Sequence, residues 1–182
     1  MSPLRRIRAI GFAILAAWAV CASGENAPTE YEVKAAYLFN FAKYLEWPAD
    51  AFAGPQAPLT LCVLGRDPFG EALTAYQRRT VQGRELRVRR GAGLDDLRGC
   101  QMVFVAESEE PRLQRILRAN ATLPIAMVSD IDGFADAGGM IGLVDADQRV
   151  QFDLNLASAE RARIKVNSQL MRIARNTRSK LP

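Results

Sequence analysis

The segment from Pro124 to Leu156, PIAMVSDIDGFADAGGMIGLVDADQRVQFDLNL, leaves the chain few ways to fold. Val150, Phe152, Leu154 and Leu156 alternate with Gln151, Asp153 and Asn155, a period of two that specifies a strand with one wet face. Asp145 to Gln148 supplies a turn ahead of it, so Met140 to Leu156 is expected to form an antiparallel hairpin. Ile125 to Val128 is a short apolar run. It reads as a buried strand that delivers Ser129 and Asp130 at its carboxyl end. Gly133, Gly138 and Gly139 then shape the connecting loop. The paired glycines before Met140 permit positive φ or a close approach of another group.

The rest of the chain supplies partners for these strands. Thr29 followed by Glu32 is a capping box, and apolar residues recur at helical spacing from Tyr31 until Trp47-Pro48 stops them. Glu32, Lys43 and Glu46 share a polar stripe on this helix, with Phe39 inside it. Phe39 is expected on a contact surface for a partner, unless another part of the chain covers it. Leu59 to Leu64 reads as a strand, and Asp67-Pro68 opens a helix with proline at its first position. Arg84 to Arg89 alternates as a second strand, Gln101 to Val105 is a third, and Ile125 to Val128 is the fourth, with a helix over Glu109 to Ala119. A last helix begins near Ser158 and carries Ala159, Ala162, Val166, Leu170 and Ile173 on one face.

Strands alternating with helices specify an α/β fold. The expectation is a single domain over 25–182, with a mainly parallel sheet flanked by helices, a C-terminal antiparallel hairpin and a final helix. A doubly wound order of 2-1-3-4 places Cys62 on the first strand beside Cys100 at the start of the third.

Residues 1–24 read as a signal peptide: Arg5, Arg6 and Arg8 precede the short apolar run Ala9 to Val20. Cleavage fits after Gly24 or Ala22, and Trp18-Ala19-Val20 before Cys21 departs from a lipobox. The run falls short of the roughly 20 residues of a membrane span. An exported, periplasmic protein without direct membrane insertion is therefore expected. Removing the leader leaves 158 residues with 21 basic and 20 acidic side chains, so bulk charge gives no support for a nucleic-acid partner. Two cysteines remain, Cys62 and Cys100. In an exported protein on adjacent strands they are expected to form a disulfide, the alternative being two buried thiols.

The chemistry on offer is limited. The sequence has no histidine, which excludes Ser-His-Asp and Cys-His arrangements and most zinc sites. Gly91-Ala92-Gly93 has Asp96 where a dinucleotide loop needs its third glycine, and Asp130, Asp132 and Asp136 miss the calcium-loop spacing. Arg78, Arg79, Arg84, Arg87, Arg89 and Arg90 read as the wet face and ends of an edge strand. No catalytic residue, metal or cofactor is expected. A small-ligand site remains as the alternative function, built from Ser129, Asp130, Gly133, Gly138 and Gly139 beyond the fourth strand.

VSDIDGFADAGGMIGLV followed by VQFDLNLASAERARIKVNSQLMRIAR resembles the closing half of the YfiR family, and YEVKAAYLFNFAKYLEWP with LCVLGRDPFG resembles its opening half. The resemblance runs from about Tyr31 to Arg175. It implies a non-enzymatic periplasmic repressor that binds the periplasmic sensor portion of a YfiN-type membrane diguanylate cyclase, lowering cyclic-di-GMP and biofilm formation. It also implies a homodimer and a disulfide that maintains the repressing fold. The second cysteine pair that some members carry near the last strands is missing from this sequence.

Overall fold

The computed structural model describes residues 27–179, so the expected signal peptide over 1–24 lies outside the described residues. Helix α1 (Glu30–Tyr44) begins as the capping box dictates: Thr29 Oγ1 accepts from the Glu32 amide at 3.3 Å, and the Glu32 carboxylate accepts from the Thr29 amide at 2.6 Å. Those two bonds satisfy amides that the first helical turn otherwise leaves without partners. The helix leads into β1 (Leu45–Glu46), β2 (Leu59–Leu64), β3 (Thr80–Val81), β4 (Arg84–Ala92) and β5 (Met102–Val105). Helix α2 (Leu113–Asn120) and β6 (Ala126–Ser129) follow, then the hairpin of β7 (Ile141–Ala146) and β8 (Arg149–Asn155). The chain closes with α3 (Leu156–Arg161), β9 (Lys165–Val166), α4 (Ser168–Ile173) and β10 (Asn176–Arg178).

Eight strands form one sheet in the order β10-β8-β7-β6-β5-β2-β4-β3. Its centre, β4-β2-β5-β6-β7, is parallel, and antiparallel pairings flank it at β7 with β8 and at β3 with β4. The expected 2-1-3-4 order is thus present as β4-β2-β5-β6. The expected hairpin is present too, with Ala146 paired to Arg149 across Asp147 and Gln148. Both turn residues adopt left-handed backbone, φ 52° and 58°, the conformation that matches a two-residue turn to the twist of its strands.

Alternation along the parallel strands divides the core into two layers. Leu59, Leu61 and Val63 of β2, with Met102 and Phe104 of β5, join Leu38, Phe41 and Phe152 under α1. Cys62, Leu64, Val103 and Val105 point the other way, to Leu97, Ile116 and Phe134. The first layer interlocks through aromatic rings, Phe69 against Phe104 at 4.6 Å and Phe41 against Phe152 at 5.0 Å between centroids, and edge-to-face pairs of this kind add to the effect of burial alone.

Three expected helices take a different form. Asp67 accepts from the Phe69 amide at 2.8 Å, as a turn-initiating aspartate should, but the following Gly70–Tyr76 segment is a 3-10 helix. The helix expected from Glu109 starts as 3-10 over Glu107–Arg112, where Pro111 lacks an amide proton, and becomes α from Leu113. The single last helix is broken in two. Arg163 adopts φ 57°, β9 pairs with β1, and Asn167 starts α4 by accepting from the Gln169 amide at 2.8 Å. Ile173, expected on the packed face, is 66% exposed as a result.

Candidate functional site

The carboxyl ends of the parallel strands are the natural place for a site in this architecture, and they divide into a filled half and an open half. The filled half lies beyond β6. Ser129 is fully buried; its Oγ donates to the Val105 carbonyl at 2.7 Å and accepts from the Ile131 amide at 3.0 Å. Asp130 Oδ2 accepts from Tyr31 Oη at 3.1 Å and from Lys34 Nζ at 2.8 Å. Lys34 is only 3% exposed, and Glu30 and Asp145 join Asp130 around its ammonium.

A buried ammonium is stable only when paired. Burial pulls Lys34 down, but its hydrogen bonds to Asp130 and Glu30 carry it above the usual lysine range. Burial, with the Asp130 carboxylate beside it, pushes the Tyr31 phenol up to about 12. Neither group is poised to exchange a proton near neutrality, so the cluster acts as an ionic tie from α1 to the loop after β6. One oxygen, Asp130 Oδ1, is buried without a hydrogen-bond partner.

The glycines of that loop have backbone and packing duties. Gly133 and Gly138 adopt φ 68° and 106°. A Cβ on Gly139 would lie 2.1 Å from the Phe134 ring, so the ring occupies the place a side chain would need. Asp136 pairs with Arg178 at 2.6 Å rather than converging with Asp130. The five residues singled out from the sequence are therefore neighbours, but their polar groups turn mostly to internal contacts.

The open half lies at the ends of β2 and β4. A crevice of about 380 Å³ is lined by Gly65, Gly91, Gly93, Glu109 and Arg112, among others. Glu109 is buried beside Gly65 and holds Arg112 at 2.5 Å. Sequence reasoning missed this crevice because its walls come from three connections separated by long stretches of chain. The signal available was Gly91-Ala92-Gly93 at the end of β4, set aside because Asp96 stands where a dinucleotide loop needs its third glycine.

Phe39 does not stand out from the surface. It is 9% exposed, its ring packs on Tyr76 at 4.9 Å between centroids, and the Lys43 ammonium lies 4.4 Å from its centroid. The expectation of an exposed aromatic anchor is corrected accordingly: the 3-10 segment ending at Tyr76 covers it. Lys34, in contrast, escaped notice although it shares a face with Leu38, Phe41 and Leu45 at spacings of four, seven and eleven residues. A lysine on an apolar stripe requires a buried partner, and that was the available signal.

Cys62 and Cys100 are joined by a disulfide in the second core layer, with a Cα–Cα distance of 5.9 Å. Arg89, in register with Cys62 on the adjacent β4, places Nη2 2.9 Å from Cys100 Sγ. Among the described residues no helix is long and apolar enough to cross a membrane.

These features define a single α/β domain closed by one disulfide. The YfiR/HmsC-like family profile matches residues 31–175, and the chain belongs to that family, whose character is that of periplasmic regulators of diguanylate cyclases. A solved structure of a conserved domain protein from Vibrio cholerae is similar in fold, with a TM-score of 0.50 at 9% identity over 82% of this chain. This chain spans 60% of that protein's length.

Proposed function

We propose that the protein is a periplasmic binding protein that represses one membrane-bound diguanylate cyclase through the cyclase's periplasmic sensor region. The observation that carries this reading is the family match across nearly all of the described fold, residues 31–175. The buried disulfide and the basic, apolar leader sequence support export. Repression works by population shift: the repressor binds the inactive arrangement of the cyclase better than the active one, so its loss releases the enzyme. A homodimer is the assembly proposed to engage a two-fold cyclase.

The test is deletion and recovery. Removing the gene should raise cyclic-di-GMP and biofilm, restoring it should reverse both, and the tagged protein should bring a membrane diguanylate cyclase out of the envelope. Unchanged cyclic-di-GMP in the deletion strain would contradict the proposal.

The crevice beyond the ends of β2 and β4 favours a second reading, a small-ligand module. Its polar wall of Glu109 and Arg112 makes that crevice the better candidate than the internally bonded Ser129. Ligand-induced protection that disappears in Arg112→Ala, with cyclic-di-GMP unaffected by deletion, would favour this alternative.

A further inference from the structure

A second depression, of about 390 Å³, opens between α2 and the turn before Cys100. Its floor is apolar: Leu97 is 1% exposed, and Leu94 and Leu123 pack against the second core layer. Arg98 and Arg115 line it as well. Arg90, Arg112 and Arg175 each hold a carboxylate. Arg98 and Arg115 hold none among the described residues, not even that of Asp95, which lines the same depression. Arg118, a turn further along α2, is also without a carboxylate but lies outside the lining. A third polar group faces the space. Asn120 is 7% exposed; its Nδ2 donates to the Ile116 carbonyl at 2.8 Å, while its Oδ1 accepts from no described residue. Side chains this deeply placed ordinarily have their polar atoms bonded. The free oxygen is not sealed in the core, so it opens on the depression that Asn120 lines.

Two unpaired guanidiniums beside an apolar floor select an anion with an apolar body. Set against the one carboxylate of Asp95, they leave a single net positive charge on the lining. That suits a monoanion such as a carboxylate better than a phosphate, whose charge approaches −2, and it disfavours a ligand that also carries an ammonium. The Asn120 acceptor asks in addition for a hydroxyl hydrogen. A volume of this size takes one small molecule. We propose that the depression binds a small hydroxylated aliphatic carboxylate. Its carboxyl group lies between Arg98 and Arg115, its chain covers Leu94, Leu97 and Leu123, and its hydroxyl donates to Asn120 Oδ1. The site is separate from the crevice lined by Glu109 and Arg112, although the two share Leu94 and Asp95. It stands independently of the cyclase reading.

The test titrates 3-hydroxyoctanoate into the full-length mature protein at pH 7 and follows amide NMR shifts, with octanoate and 1,3-octanediol as comparisons. A ligand with so few atoms should half-saturate at about 1 mM, and the shifts should centre on Leu94, Leu97 and Leu123. Arg98→Ala and Arg115→Ala should each weaken binding about tenfold, the loss of one charge-assisted hydrogen bond. Both side chains are exposed, so neither variant threatens the fold. Arg118→Ala should bind as wild type does. Octanoate should bind about fivefold more weakly than the hydroxy acid, the loss of one neutral hydrogen bond, and Asn120→Leu should erase that difference. If Asn120→Leu does not fold, the two acids compared on the wild-type protein still read the hydroxyl contact. The diol, which lacks the charge, should not saturate. Absence of saturable binding would overturn the proposal, as would equal affinity for the two acids on the wild-type protein. So would equal weakening by Arg98→Ala, Arg115→Ala and Arg118→Ala, which would mark general attraction to a basic surface. Binding lost in Arg112→Ala but kept in Arg98→Ala and Arg115→Ala would overturn it too, by moving the ligand to the neighbouring crevice.

Discussion

The two faces of the sheet are secured by different means. Under α1, the first layer interlocks Phe41, Phe69, Phe104 and Phe152 and is closed at one end by the buried Lys34 and Asp130 pair. On the other face, α2 is only eight residues long, the layer is smaller, and two depressions of about 380 and 390 Å³ open beside Leu94. That is the face crossed by the disulfide. A thin layer buries less apolar surface and gains less from it, so a covalent link there contributes a larger share of local stability. The link also makes that face the one whose integrity depends on the surrounding redox conditions.

The largest effect is expected from removing the link. Cys62→Ala with Cys100→Ala opens a loop of sequence separation 38 and should cost about 4 kcal/mol in the chain-entropy account, read from urea unfolding. A loss below about 1 kcal/mol would show that packing alone holds this face as well. On the opposite face, Phe39→Ala should cost about 3 kcal/mol, since truncating a packed phenylalanine leaves a cavity under Tyr76. An unchanged melting temperature would show that Tyr76 does not cover the ring.

Lys34→Ala strands the Asp130 carboxylate and should destabilise by about 3 kcal/mol, whereas Lys34→Met combined with Asp130→Leu should come close to neutral. The smallest effect belongs to the sheet edge, where Arg175 donates to both Asp153 oxygens and ties β10 to β8. That hydrogen bonding holds the Asp153 carboxyl below its ordinary value of 3.8. The native protein therefore binds this proton less readily than the unfolded chain. The contribution is complete above that ordinary value and fades as pH falls through the depressed native one. Asp153→Asn should cost about 1–2 kcal/mol at neutral pH, discounted for the half-exposed Arg175, and should converge with wild type in acid.

Features carried by local pattern were the ones readable in the amino-acid order. The Thr29–Glu32 cap, the Met140–Leu156 hairpin and the parallel strands follow from spacing within a few residues, and the strand order then placed Cys62 near Cys100. Features that depend on distant partners were not readable in the same way. The last helix breaks because β9 finds β1 more than a hundred residues back, with Arg163 in left-handed backbone to allow the turn. Phe39 is buried because Tyr76 reaches it from a segment whose 3-10 form has no clear periodicity. At the candidate site, the residues near Ser129 were identified as a group, but not that Lys34 and Phe134 would fill the space around them.

One face of the sheet is thus held by packing and the other by a reducible link. Amide hydrogen exchange on the oxidised and the dithiol-reduced protein tests it most directly. Reduction should strip protection from β4, the turn before Cys100 and α2, while α1 and the β7–β8 hairpin keep theirs. Equal loss of protection across both faces, or none on either, would contradict it.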